Sequence, residues 1–201
     1  MTGQVLLISG PSGSGKSSLL NKLFSEFKNT YFSISSTTRA PRDGEKNGVN
    51  YHFISKDEFE ADIKAGHFLE WANVHGNFYG TSLKPVIKAL NENKIVIFDI
   101  DVQGFILARK QDFALTSVFV TTKDKSTLEN RLKNRGTENN ESIKERLKNA
   151  TGEMEYLKEY DYIIINEDLE KAYDELRSVF ISMQNKSSNI DINALKAKWQ
   201  N

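Results

Sequence analysis

Along the chain the spacing of apolar positions changes abruptly several times. "VLLIS" at 5–9 is an unbroken apolar run that stops at Gly10, the pattern of a strand buried on both faces. From Lys16 the period lengthens, and Leu19, Leu20, Leu23, Phe24 and Phe27 form one stripe of a helix. "YFSIS" at 31–35 returns to strand character. A helix near 83–92 precedes "KIVIFDID", whose four consecutive apolar residues predict a central parallel strand. "TSVFVTT" at 116–122 and "DYIIIN" at 161–166 predict two more. Between them Leu128 and Leu132 share one helix, while Ile143, Leu147, Ala150, Met154 and Leu157 repeat at steps of four and three on another. A last helix carries Leu169, Tyr173, Leu176, Phe180 and Met183. Strands alternating with helices predict an α/β fold with a parallel sheet flanked by helices.

Residues 36–82 break this rhythm. They are polar and rich in glycine, with short β-like runs at "NYHFI" and "FLEWANVHG" around a helical "KDEFEADIKAG". That texture predicts an insertion folded as a small, mostly β subdomain. After Gln184, "NKSSNIDINALKAKWQN" opens as a polar linker and predicts a short helix through Ile192, Leu195 and Trp199.

Composition narrows the class. Of 201 residues, 38% are hydrophobic and 27% charged, as in a soluble globular protein rather than a disordered chain. Lysine plus arginine and aspartate plus glutamate number 27 each, so anion recognition must come from local clusters. That argues against nucleic acid as a partner, which favours a basic face. There is no cysteine, hence no disulfide and no thiolate metal site. The start, "MTGQVLLISGPSG", reads as a strand and not a signal peptide, and no window approaches the roughly 18 apolar residues of a membrane span. A cytoplasmic location is the expectation, and the sequons at Asn140 and Asn149 then have no mechanism. His52, His67 and His75 lack metal-ligand spacing and read as ordinary strand or loop residues.

Chemistry enters with "GPSGSGKS" at 10–17, which fits G-x-x-x-x-G-K-[S/T] between an apolar strand and an amphipathic helix. In such a loop, here Gly10, Pro11, Ser12, Gly13, Ser14, Gly15, Lys16, Ser17 and Ser18, backbone N–H groups converge on phosphate oxygens and the helix dipole adds to the attraction. Lys16 is placed to reach the β and γ phosphates, and the Ser17 hydroxyl to ligate Mg²⁺. Asp99, ending "IVIFD", is a second candidate for orienting the Mg²⁺ shell. A P-loop of this kind serves GTPases, ATPases, transporters and nucleotide kinases alike.

"SSTTRAPRDGEKNGVNY" at 35–51 sets Arg39 and Arg42 three residues apart on a loop without helical period. Two guanidiniums at that spacing can converge on one tetrahedral anion, with Tyr51 and Tyr79 as further donors. Taken alone, the same residues also fit a solvated basic loop.

"SISSTTRAPRDGEKNGVNYHF", then "FLEWANVHGNFYGTS", then "IVIFDIDVQG" resemble the guanylate kinase family, and the resemblance runs from the P-loop to about residue 183. It implies a P-loop core (1–35, 83–130 and 148–184), a GMP-binding insertion (36–82), a helical lid (131–147) and a C-terminal tail (185–201). It also implies roles: Arg39 and Arg42 grip the GMP phosphate, Tyr51 and Tyr79 hydrogen-bond it, and Glu70 reads guanine. Ser35, Thr81 and Asp101 face the base, Thr81 standing where the family often has serine. A carboxylate suits guanine on chemical grounds, because N1–H and N2–H₂ lie side by side, whereas adenine offers a bare acceptor there.

The implied activity is ATP-dependent phosphorylation of GMP, and of dGMP, to the diphosphate with Mg²⁺, within purine nucleotide metabolism. ATP and GMP are the expected partners, with no membrane, in a monomer or homodimer. Arg131, Arg135 and Arg146 fall in "RLKNRGTENNESIKERL", the region that in the family closes over ATP; read alone, they also suit a salt-bridged helix pair. A kinase for another base is disfavoured by Glu70, Ser35 and Thr81. A phosphopeptide-binding scaffold module would have lost the intact ATP loop, and a GTPase switch would need a base reader that "TTKDKS" is not.

Overall fold

The computed structural model describes residues 3–134 and 140–200. In chain order its first half comprises β1 (Gln4–Ser9), α1 (Lys16–Glu26), β2 (Thr30–Phe32), β3 (Ser36–Thr37), β4 (His52–Phe53), α2 (Lys56–Lys64), β5 (Phe68–Val74) and β6 (Asn77–Ser82). Then come α3 (Leu83–Asn91), β7 (Ile95–Asp99), α4 (Val102–Ala108), β8 (Ala114–Thr121), α5 (Lys125–Asn134), α6 (Asn140–Glu153), β9 (Tyr162–Ile165), α7 (Leu169–Met183) and α8 (Ile192–Ala197).

The main sheet has the order β2-β7-β1-β8-β9, and every pair in it is parallel. Its interior strands are apolar on both faces because helices cover both. On one face Leu6, Ile8, Ile97 and Val120 pack against Leu19 and Leu23 of α1 and Leu176 and Phe180 of α7. On the other Val5, Leu7, Val96 and Phe98 meet Val86 of α3 and Phe105 of α4. The expected α/β architecture is thus observed, with helices on both sides of a parallel sheet.

A second, mixed sheet of order β4-β3-β6-β5 lies within residues 36–82. Its core is aromatic: Phe59 of α2 is fully buried and stacks on Phe68 at 4.1 Å and on Phe78 at 5.3 Å. α2 is well specified locally, since Ser55 caps it by accepting from the Glu58 N–H and Asp57 and Glu58 occupy its positive end.

Three elements depart from the pattern read in the sequence. The run at 31–35 is divided between the two sheets: β2 ends at Phe32, and the Ser35 carbonyl already accepts from His52 N–H of the second sheet. α6 stops at Glu153, so Met154 and Leu157 fall in a 3₁₀ segment, Met154–Glu159, and not on one continuous helix. α4 was not anticipated; its seven residues are too few to display a period, and it is set by Asp101, whose Oδ1 accepts from Gly104 N–H at 2.9 Å. Among the described residues no helix is long and apolar enough to cross a membrane.

Because Phe59 is the largest buried contribution to the smaller sheet, Phe59→Ala is expected to cost about 3–5 kcal/mol of stability. Urea unfolding monitored by circular dichroism measures it.

Candidate active site

Parallel pairing brings the carboxyl ends of β1, β7, β8 and β9 to one edge of the sheet. β1 runs out into residues 10–15, and α1 begins at Lys16 with Gly15 as its cap in a left-handed conformation, φ 97°. A Cβ at Gly15 would lie 2.2 Å from Asn166 Nδ2, so both the backbone angle and the space demand glycine. Asn166, which follows β9, donates from Nδ2 to the Ser14 carbonyl at 2.8 Å. Arg131 clasps the same turn, donating to the Asn166 carbonyl at 2.6 Å and the Ser14 carbonyl at 3.4 Å. From α6, Arg146 Nη1 donates to Ser12 Oγ at 2.7 Å. Arg135 lies outside the described residues.

Lys16 Nζ turns back onto the Gly10 carbonyl and stands 3.9 Å from Asp99 Oδ1. Ser17 and Ser18 are exposed on the first turn of α1. Beside them Gly13, Gly15, Ser18, Arg131, Asn134, Asn166, Glu167 and Leu169 line an open depression of about 430 Å³.

A second cavity, of about 240 Å³, is lined by Ser35, Glu70, Trp71, Ala72, Tyr79, Gly80 and Thr81. Glu70 and Thr81 are opposite each other on β5 and β6, and Thr81 Oγ1 donates to Glu70 Oε1 at 3.3 Å. An irregularity between Phe68 and Glu70 breaks the alternation of β5, so that Phe68 stacks on Phe59, Leu69 enters the main core and Glu70 faces the cavity. Glu70 Oε2 also presses on α4: a Cβ at Gly104 would meet it at 3.0 Å. Tyr51 and Tyr79 stand edge to face at 5.9 Å, and the Arg39 guanidinium lies over Tyr51 at 5.6 Å. Arg42 is exposed nearby.

Electrostatics connects the two regions. Burial raises the Glu70 carboxyl above the usual carboxylate range, and the negative charge of Asp101 raises it further. Glu153, at the end of α6, is likewise raised by burial; it feels Lys16 on one side and Asp101 on the other, and its Oε2 is buried without a hydrogen-bond partner. Asp99 is raised by burial against the pull of Lys16. Glu153 thus lies within reach of the charges of Lys16 and Asp101, and Glu70 within reach of that of Asp101.

With this geometry in view, relatives are readily found. A family model for guanylate kinase matches residues 2–183. The chain belongs to the guanylate kinase family. A guanylate kinase of Campylobacter jejuni strain RM1221 is 54% identical over 201 residues, covering 99% of this chain and 98% of its own. One from Helicobacter pylori strain 26695 is 47% identical over 197 residues, with 98% and 96% covered. The crystal structure of guanylate kinase from Anaplasma phagocytophilum superposes with a TM-score of 0.70 at 30% identity, covering 96% of this chain and 93% of that one.

Within this guanylate kinase fold, the predicted Ser35, Glu70, Tyr79 and Thr81 share one cavity, and Gly13, Gly15, Ser18 and Arg131 another. Asp101 is exposed and caps α4 while facing Glu70. Sequence reasoning missed Asn166, whose signal was a lone polar residue closing the apolar run "YIII", and Glu153, which carried no signal because it stood inside a helix expected to run through Leu157. Among the described residues no group of three or more His, Cys, Asp or Glu is arranged to hold a metal. The donor set that does exist, an exposed Ser17 hydroxyl and an under-neutralised Asp99 carboxylate, suits Mg²⁺, which is commonly held by one or two protein oxygens together with substrate phosphates.

The raised Glu70 value has a definite consequence. A carboxyl that binds its proton more tightly when folded contributes stability below the unfolded carboxylate range, and that contribution is lost as pH rises through the folded value. Glu70→Gln, neutral throughout, is therefore expected to raise the ligand-free melting temperature by a few degrees at pH 7. The difference should vanish near pH 4. Differential scanning calorimetry across that range measures both.

Proposed function

We propose that this protein transfers the terminal phosphoryl group of ATP to GMP, and also to dGMP, yielding ADP and the corresponding diphosphate. The observation that carries this reading is a pair of distinct sites: a glycine loop that opens α1 and holds Lys16 beside Asp99, and a separate cavity in which Thr81 holds the Glu70 carboxylate. The first suits a triphosphate, and the second offers a carboxylate to adjacent N–H donors. Membership of the family supports the same conclusion.

In this reading Glu70 accepts from guanine N1–H and N2–H₂, with Thr81 holding the carboxylate and Ser35 and Asp101 at the edge of the base. Arg39, Arg42, Tyr51 and Tyr79 hold the acceptor phosphate. The glycine loop takes the ATP phosphates. The open depression between Arg131 and Glu167 takes the remainder of ATP. An oxygen of the GMP phosphate, anionic near neutral pH, attacks the γ-phosphorus in line with the departing ADP oxygen. Such a nucleophile needs no strong base, so the protein acts by alignment and by neutralising crowded negative charge. Lys16, drawn from Gly10 and Asp99 onto the donor phosphates, and Arg146, held near Ser12, supply part of that charge. Ser17 and Asp99 would hold the Mg²⁺ that accompanies ATP, which when bound would add charge neutralisation at the transferred group.

Residues 36–82 act as the GMP-binding unit and 131–147 as a lid whose closure excludes water. The activity belongs to a cytoplasmic enzyme of purine nucleotide metabolism.

A coupled ADP assay with GMP, dGMP, AMP and UMP as acceptors tests the reading. A site that pairs buried polar groups rejects an analogue lacking them by up to roughly 10⁴–10⁵-fold. GMP and dGMP should accordingly far exceed the others, and an AMP rate equal to that of GMP would remove the role given to Glu70. Arg42→Ala should raise the KM for GMP by about tenfold or more, consistent with loss of one charge-assisted contact, and leave the KM for ATP unchanged. Equal losses for both substrates count against two separate phosphate sites.

A further inference from the structure

The loop carrying Arg39 and Arg42 contains a third charged group in direct contact with both, Glu45. Its carboxylate takes the outer edge of the Arg39 guanidinium in a two-point pair, Nη1 to Oε2 and Nη2 to Oε1, each at 2.9 Å. Oε2 also accepts from the Arg42 backbone N–H at 2.7 Å, and the Glu45 N–H returns a bond to the Arg42 carbonyl at 3.0 Å. The side chains of Arg39 and Glu45 are only 15% and 18% exposed, so this pair is shielded, unlike an ordinary surface ion pair.

The donor inventory of Arg39 shows what this leaves. A guanidinium has five N–H groups. Glu45 takes two, and the Ala40 carbonyl takes the second Nη1 hydrogen at 2.7 Å. The Nε–H and the second Nη2 hydrogen lie side by side on the opposite edge, where they match two oxygens of one phosphate. The Tyr79 hydroxyl meets the guanidinium on that edge, where it can turn its own O–H to the same anion, and the rings of Tyr51 and Phe53 lie 5.6 and 5.7 Å from the guanidinium. With its plane fixed by a carboxylate and two aromatic faces, the guanidinium is committed to presenting that remaining edge. Across the same carboxylate the Arg42 main chain is fixed relative to Arg39, while its guanidinium pairs with no carboxylate among the described residues.

We propose that Glu45 is a positioning residue for the acceptor clamp, a single carboxylate that holds the Arg39 plane and the Arg42 backbone so that both guanidiniums converge on the acceptor phosphate. This rests on the reading that the loop holds the GMP phosphate. A different role, Glu45 as an anion occupying the phosphate's own place, makes the opposite forecast, because removing a competitor would tighten GMP binding.

Isothermal titration of GMP and of guanosine, without ATP, into wild-type protein, Glu45→Gln and Glu45→Asp separates these cases. Glutamine sets an amide NH₂ against an Arg39 donor and abolishes the two-point pair. GMP affinity should fall by about 10- to 100-fold, the worth of a hydrogen-bonded charged group, while guanosine affinity stays unchanged. Aspartate keeps the charge on a shorter arm, so its loss should be smaller than that of glutamine. In steady state the increase should fall on the KM for GMP and not on that for ATP. Parallel losses for GMP and guanosine would reduce Glu45 to a general scaffold of the loop, and unchanged or tighter GMP binding would exclude a positioning role. Wild-type protein that bound neither ligand would remove the underlying reading, and the proposal with it.

Discussion

Everything at the site depends on the parallel hydrogen-bonded alignment of β7, β1, β8 and β9. Because Ile8 pairs with Asp99 and Thr121 with Ile165, each strand ends at nearly the same level. The glycine loop, Asp99 and Asn166 are thereby delivered to one edge without any of them having to be adjacent in sequence. The register is held by side chains buried on both faces, and a one-residue slip would force each set into the core shaped for the other. Two separate apolar cores, one on each face, guard the same alignment. This is how an apolar pattern with no chemistry of its own decides where chemistry can occur.

The carboxylates at that edge run against stability. Glu70, Asp99 and Glu153 are all held above the usual carboxylate range by burial, and none is fully neutralised by a neighbouring cation. Such groups make the ligand-free fold less stable near neutral pH than uncharged side chains would in the same places. Carboxylates shifted in this way by burial cluster at functional sites. The clamp loop follows the other convention: Glu45 is held below the usual range by Arg39 and the Arg42 backbone, and the cation it opposes keeps one edge for an anion.

Legibility in the sequence followed the range of the interactions. The core strands and the long helices α1 and α7 were readable because burial on one or two faces leaves a period that a dozen residues suffice to show. The glycine loop was readable because close approach to phosphate restricts residue type at fixed spacing. α4 and the shared stretch at 31–36 were not, since a capping side chain and a handover between sheets act at single residues. Glu70 could be named only through its flanking motif. The bulge that turns it from the aromatic cluster to the cavity is a backbone irregularity that side-chain pattern does not encode. Asn166 and Glu153 escaped for a related reason, because their partners, Ser14 and Lys16, lie more than a hundred residues away in the chain.

The glycine loop and the loop at 40–50 also differ in where their holding bonds come from. The glycine loop is pinned by Asn166 and Arg131 against the end of β9. The loop at 40–50 is exposed along most of its length and depends on a few local bonds around Glu45 and Asn50. Both loops are thus ordered before anything occupies them, the first by partners more than a hundred residues away and the second by bonds within its own few turns. A shift of β9 would accordingly reach the glycine loop directly, whereas the loop at 40–50 carries its own scaffold with it.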